Sequence, residues 1–158
     1  IQVNTLGKAA GSFGAFAVAG VDVVDILVSK ARPFIYTTAL PPSVCAASAK
    51  AFDIFEQRPG LRDLLWRNVS QFKAGLRQAG ISFMDSGSQI IPIIIGSSDE
   101  AVRISRELLE KGVFIQAIRP PTVPENTARL RVTLSAAHTE NDIAFAVAAI
   151  KDVFKGGI

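Results

Sequence analysis

The sequence predicts an α+β domain from about residue 40 onward: helices packed on a mostly antiparallel sheet, behind a short strand-rich opening. Three observations predict it. Apolar runs in the second half alternate with segments of helical spacing, two of those helices carry local start signals, and "ARLRVTLS" alternates as a strand should. Of 158 residues, 49% are hydrophobic and 20% charged, which describes a globular chain able to bury a sizeable core.

In chain order, "IQVN" and "GAFAVAG" are short, apolar and β-prone, with "TLGKAAGSF" as a tight connection between them. "VDVVDILVSK" has apolar residues at helical spacing until Pro33 breaks the pattern, and "FIYTTALPP" reads as extended. Residues 43–55 are rich in helix formers, and "RPG" punctuates them. Residues 61–79 form an amphipathic helix. Its expected buried face is Leu61, Leu64, Leu65, Val69, Phe72 and Leu76, and Gly80 is its stop. "IIPIIIG" is a buried strand whose Pro92 limits pairing on one side. "SSDEAVRISRELLEKG" has a Ser cap, an acidic first turn and a closing Gly. "VFIQAI" and "ARLRVTLS" are strands around the stiff, three-proline loop "RPPTVPENT", and a last helix is capped near Thr139.

The bulk numbers exclude several functions. The formal charge is +3, from 17 Lys and Arg against 14 Asp and Glu, and the basic residues are scattered, so no nucleic-acid partner is expected. No apolar run reaches the roughly 18–20 residues needed to cross a bilayer, and the first residues lack the basic region of a secretory leader. Neither a membrane partner nor a metal site is expected. Cys45 is the only cysteine, which suits a reducing, cytoplasmic setting, and its neighbours "SVCAAS" predict a buried structural thiol. The chain has no initiator Met and starts on a strand, which is expected of a cut through a larger domain.

The residue that asks for an explanation is Lys8, set among glycines and alanines in "NTLGKAAGS". A Walker loop needs Ser or Thr after the lysine and an earlier Gly, and both are missing; the dinucleotide fingerprint fails on the spacing of Gly11 and Gly14. Two readings stay open: an ordinary loop lysine, or an amine held away from bulk water that attacks a carbonyl, with the Thr5 hydroxyl near enough in sequence to hold a phosphate.

"TLGKAAGSFGAF" looks like the Schiff-base lysine segment of the α-oxoamine synthases, pyridoxal-phosphate enzymes of the aspartate-aminotransferase fold group (fold type I). "ARPFIYTTALPPSV" and "VFIQAIRPPTVPENTARLRVTLSAAHTENDI" resemble two further segments of that family, in the same order. The resemblance covers essentially the whole chain. The run "AIRPPTVP" points most closely to the member that condenses L-alanine with a pimeloyl thioester, carried on CoA or an acyl carrier protein, in biotin biosynthesis. Glycine acetyltransferases and 5-aminolevulinate synthases match it less well there. A rival of another class is a non-catalytic α+β interaction domain.

The resemblance implies an α/β parent fold of the pyridoxal-phosphate-dependent transferases. Residues 1–38 would be the end of its cofactor-binding large domain and residues 39–158 its small α+β domain. It implies a homodimer with the active site at the subunit interface. Lys8 matches the Schiff-base lysine, which is also the acid/base at the amino acid's α-carbon, and Thr5 matches a ligand of the cofactor phosphate. Thr37 and Thr38 match the hydroxyl pair that reaches the phosphate of the neighbouring subunit's cofactor; a helix cap is the plainer role for either. Arg131 matches the arginine that binds the substrate carboxylate, while Arg129 ranks below it, with a surface ion pair as the plainer role. Thr122 lies in the "RPPTVP" loop, which resembles a wall of the acyl-chain channel, and is carried over as substrate-binding. His138, the only histidine, is expected to play a local structural or capping part. Asn4 and Ala15 stand where glycine is common in the family. The cofactor-stacking histidine and the pyridine-pairing aspartate of the family lie in a part that precedes these residues, so the chain alone is expected to be inactive.

Overall fold

The structure is a computed structural model that describes residues 1–156. The chain divides into two compact units, Ile1–Pro59 and Gly60–Ile158.

The first unit opens with an antiparallel hairpin of β1 (Gln2–Thr5) and β2 (Ala15–Val18), in register from Gln2 opposite Val18 to Thr5 opposite Ala15. Three helices follow: α1 (Val21–Lys30), α2 (Arg32–Ile35) and α3 (Pro42–Gln57). The short α2 corrects the extended reading of "FIYTTALPP" at its first residues. Pro33 falls in the first turn of α2, where its missing N–H costs nothing and its fixed φ suits a helix, so it starts a helix as well as ending one. Helix α3, grouped by sequence with the later helices, shares its buried groups with the hairpin. The Ser12 hydroxyl donates to the Val44 carbonyl at 3.2 Å and meets the Ser48 hydroxyl at 2.8 Å, and Phe16 packs edge-on against Phe52 at 5.5 Å between centroids. The buried side of α3 is therefore Ser48 and Ala51. Cys45 lies one helical step away from half-buried Val44 and is exposed, which corrects the expectation of a buried thiol.

The second unit contains α4 (Gly60–Gln78), β3 (Ile90–Gly96), α5 (Ser98–Glu110), β4 (Gln116–Ile118), β5 (Ala128–Thr133) and α6 (Glu140–Lys155). The strands form an antiparallel sheet in the order β3-β5-β4, so Pro92 sits on an edge strand, as its missing N–H requires. Phe72 and Leu76 of α4, Ile104 and Leu108 of α5, and Ile143 and Ile150 of α6 pack with Ile91, Ile93, Leu130 and Val132 of the sheet in one core. Each fully buried side chain of this size stabilises the fold by about 1.5–3 kcal/mol.

Local signals placed the helices well. The Ser97 hydroxyl accepts from the Glu100 N–H, and Thr139 and Asp142 form a reciprocal capping box. Gly80 ends α4 at φ 72°, a left-handed conformation that glycine adopts without strain. Two expectations shift. Leu64 is 36% exposed at the flank of α4, and the buried stripe instead takes in Asn68, which is 1% exposed. The strand expected at "VFIQAI" begins only at Gln116. Before it, the Val113 N–H closes α5 on the Leu108 carbonyl at 2.8 Å and the Ile115 carbonyl accepts from the Ser105 hydroxyl at 2.6 Å, so residues 113–115 are tied to α5 and not to the sheet. Among the described residues no helix is long and apolar enough to cross a membrane, and no group of three or more His, Cys, Asp or Glu could hold a metal ion.

Candidate functional site

In the first unit the candidate residues sit on two segments. Thr5 ends β1, and Lys8 lies in the connection of residues 6–14. That connection is a structured loop. The Leu6 N–H donates to the Gly14 carbonyl at 2.9 Å, the Ser12 N–H to the Leu6 carbonyl at 3.0 Å, and the Gly11 N–H to the Lys8 carbonyl at 2.9 Å. Lys8 is thus the first residue of a tight turn whose last residue is Gly11, left-handed at φ 58°. Leu6 is buried under the loop and Ser12 anchors it to α3. Lys8 and Thr5 are themselves exposed. This corrects the idea of a lysine held away from water within these residues: a two-stranded hairpin covers its loop only through Leu6 and Ser12.

The second segment, residues 36–41, leads into α3. The Thr37 hydroxyl oxygen accepts from the Ala39 N–H at 3.2 Å, and Ala39 has φ 67°. A left-handed alanine costs roughly 1–2 kcal/mol, so this turn holds local strain. Neither threonine is a helix cap. Helix α3 starts from Pro41, without a side-chain cap bond, so the plainer role weighed for both residues is ruled out. The two segments touch: a Cβ added to Gly14, at φ 103°, would stand 2.8 Å from Leu40 Cδ1. Glycine at 14 is what lets the Lys8 loop and the threonine segment approach so closely.

In the second unit, β5 buries Ala128, Leu130 and Val132 and presents Arg129, Arg131 and Thr133 on the opposite face. The two arginines differ in what occupies them. Arg129 donates from Nε to the Thr127 carbonyl at 3.0 Å, from Nη2 to the Thr127 hydroxyl at 3.1 Å and from Nη1 towards the Met84 sulfur at 3.9 Å. It is bound to the end of the proline-rich loop and makes no ion pair among the described residues, so its plainer expected role also fails. Arg131 makes one side-chain hydrogen bond among the described residues, from Nη2 to Gln116 Oε1 at 2.8 Å. Among the described residues the rest of its donor fork meets no protein acceptor, the state an anion-binding arginine requires. A cleft of about 630 Å³ reaches this pair, with Phe72, Val113 and Ile143 among its apolar walls. Thr122 is exposed in the loop, its N–H donating to the Arg119 carbonyl at 3.0 Å.

His138 takes the local part expected of it. Its Nδ1 accepts from the Ser135 N–H at 3.3 Å, and its carbonyl accepts from Asn68 Nδ2 at 2.8 Å. Sequence reasoning missed Gln116 and Asn68. Gln116 had a signal, as the polar member of the apolar run "FIQAI"; Asn68 had none, since its partners lie far along the chain.

The site chemistry fits a phosphate-bearing aldehyde cofactor in the residues present. An exposed primary amine on a glycine- and alanine-rich loop lies three residues from a threonine hydroxyl at the end of β1, and at Gly11 an added Cβ would meet nothing within 4 Å. The family profile "Aminotransferase class I and II" matches residues 1–150. The chain is 51% identical to the 8-amino-7-oxononanoate synthase of Geobacter metallireducens over 158 residues, 99% of the chain and 40% of that protein. It thus spans about two fifths of the length of the curated relatives it matches. Among solved structures it superposes on SPT with PLP as internal aldimine at a TM-score of 0.91 and 26% identity, covering 98% of this chain and 39% of that one. The 8-amino-7-oxononanoate synthase of Francisella tularensis gives a TM-score of 0.84 at 28% identity, covering 98% and 45%.

Proposed function

Since the chain belongs to the aminotransferase class I and II family and has the fold of a pyridoxal-phosphate-dependent transferase, we propose that it is the C-terminal part of an 8-amino-7-oxononanoate synthase. The observation that carries this reading is the 51% identity to such a synthase along nearly the whole chain. The reaction is the condensation of L-alanine with a pimeloyl thioester, on CoA or an acyl carrier protein. A bond forms between the alanine α-carbon and the thioester carbonyl, the thiol leaves, and the alanine carboxylate departs as carbon dioxide. Residues 1–38 end the large domain and residues 39–158 form the small one.

Bound pyridoxal phosphate supplies an aldehyde to hold the amino group and an electron sink for charge that develops on the α-carbon. The Lys8 amine would hold the cofactor and, with alanine bound, would take the proton from the alanine α-carbon. The Thr5 hydroxyl would donate to the phosphate. In a homodimer, one hydroxyl of the Thr37–Thr38 pair would donate to the phosphate in the partner's site. The Arg131 guanidinium grips the alanine carboxylate with two parallel hydrogen bonds. Thr122 and the prolines beside it form a stiff wall for the acyl chain, at low entropic cost.

The test uses the full-length protein. Borohydride reduction should fix the cofactor on the peptide that carries Lys8, and Lys8→Ala should lower turnover of alanine with pimeloyl thioester by about 10²–10⁴-fold. Faster turnover of glycine with acetyl thioester would move the assignment to a glycine C-acetyltransferase. An absence of any reducible adduct at Lys8 would leave the non-catalytic reading.

A further inference from the structure

We propose that Gln116 is the positioning residue for the carboxylate anchor: its side-chain carbonyl sets the pose of the Arg131 guanidinium, and through it the enzyme's hold on its amino-acid substrate. The proposal rests on Arg131 being that anchor. Gln116 and Arg131 are direct cross-strand partners on β4 and β5, and the Oε1–Nη2 bond of 2.8 Å joins them on the face away from the core. Among the described residues no other side chain is hydrogen-bonded to Arg131. Across the other side of β5, Arg131 faces Pro92, which has no polar side-chain atom. One turn of the pleat away, Arg129 is held at Thr127 and Met84.

The fold itself does not ask for glutamine here. Gln116 is an exposed first residue of an edge strand, where a β-branched residue has the better strand propensity. A neutral acceptor, however, has a specific merit. It takes one hydrogen of Nη2 and leaves both the positive charge and the remaining donors for a carboxylate. An unheld arginine samples many rotamers and must be ordered when substrate arrives, and ordering it beforehand strengthens binding. A carboxylate at position 116 would hold the guanidinium as well but would neutralise it and compete with the substrate.

The experiment is steady-state kinetics of the full-length enzyme with both substrates varied, on Gln116→Ala, Gln116→Glu, Arg131→Ala and the double variant Gln116→Ala/Arg131→Ala. Gln116→Ala should raise KM for L-alanine about 5–20-fold and leave kcat and KM for the pimeloyl thioester within about twofold. Gln116→Glu should raise KM for alanine further. In the Arg131→Ala background, Gln116→Ala should add nothing, because glutamine acts only through the arginine. An unchanged KM for alanine in Gln116→Ala overturns the proposal, as does an equal rise for both substrates or a full additional loss in the double variant. If Arg131→Ala itself leaves the alanine KM unchanged, the anchor assignment has failed, which is a separate result from a failure at Gln116.

Discussion

Asn68 sits 1% exposed on α4 and donates both hydrogens of its amide, to the Ser135 carbonyl at 3.0 Å and the His138 carbonyl at 2.8 Å. These bonds tie α4 to the turn between β5 and α6, directly after the strand that carries Arg131. Asn68→Ala removes both donors: the half-buried His138 residue loses its carbonyl's partner, and the Ser135 carbonyl keeps only the His138 N–H at 3.4 Å. Each such loss costs about 1–3 kcal/mol; with some relaxation of the turn, a total of about 2–4 kcal/mol is expected. A small domain has only about 5–15 kcal/mol of stability, so the variant forfeits a large share. The assay is urea unfolding of the chain followed by fluorescence of Trp66, its one tryptophan, which lies on the same helix. Asn68→Asp sharpens the test. At neutral pH it places a carboxylate against two carbonyl oxygens, so it should be less stable than Asn68→Ala. Burial and those oxygens raise the folded pKa of the new carboxyl. The penalty is therefore full above that pKa and eases as pH falls through it, when the acid regains one donor. A loss below about 1 kcal/mol for Asn68→Ala, or an Asn68→Asp variant as stable as the parent at pH 7, would refute the reasoning.

Two further variants probe the same unit. The Asp142 carboxyl is held below its ordinary value chiefly by the Thr139 N–H and next by the Thr139 hydroxyl. A depressed carboxyl stabilises above its unfolded pKa of about 3.9 and loses that contribution as pH falls through the folded value. The stability difference between parent and Asp142→Asn should accordingly be constant above about pH 5 and shrink below about pH 4, in urea unfolding across pH; a difference that persists undiminished at low pH would contradict it. At Gly75 an added Cβ would meet Val147 Cγ2 at 2.9 Å and Cγ1 at 3.0 Å. Overpacking of about 1–3 kcal/mol against stiff, β-branched Val147 outweighs the roughly 1 kcal/mol that alanine gains in a helix. Gly75→Ala should therefore destabilise, and adding Val147→Ala should recover most of the loss in the same assay.

What the sequence made legible is what depends on near neighbours. The Ser97 cap, the Thr139 box and the Gly80 stop are each satisfied within a few residues, so the pattern carries them. The Lys8 loop is local too, yet its residues alone leave two readings open, and the resemblance of two distant segments is what favours one. What was not legible depends on distant partners. Cys45 and Ser48 look alike in a run of small residues, and only Ser12, 36 residues from Ser48, decides which side of α3 is covered. Asn68 reads as a polar interruption of an apolar stripe until the carbonyls 67 and 70 residues away are in place. The strand at "VFIQAI" is cut short because α5 claims the backbone of Val113 and Ile115, a competition that a window of six residues does not contain.

The position of Arg131, the proposed carboxylate anchor, follows from the same alternation that builds the core. Strand β5 is the central strand, and Ala128, Leu130 and Val132 must face the three helices. With a period of two, Arg129, Arg131 and Thr133 are then forced onto the other face. A register slip of one residue would drive two guanidinium groups into an apolar core, at a cost far beyond the stability of the unit. Register is therefore guarded by the core, and the face that carries the proposed anchor inherits its precision. The two arginines differ in the neighbours that occupy their donors. Arg129 lies beside Thr127 and Met84, which occupy its donors. Arg131 lies beside proline on one side and glutamine on the other, so it is steadied at a single atom and keeps its charge for a ligand. The core fixes the face, and the cross-strand pair selects the residue on it.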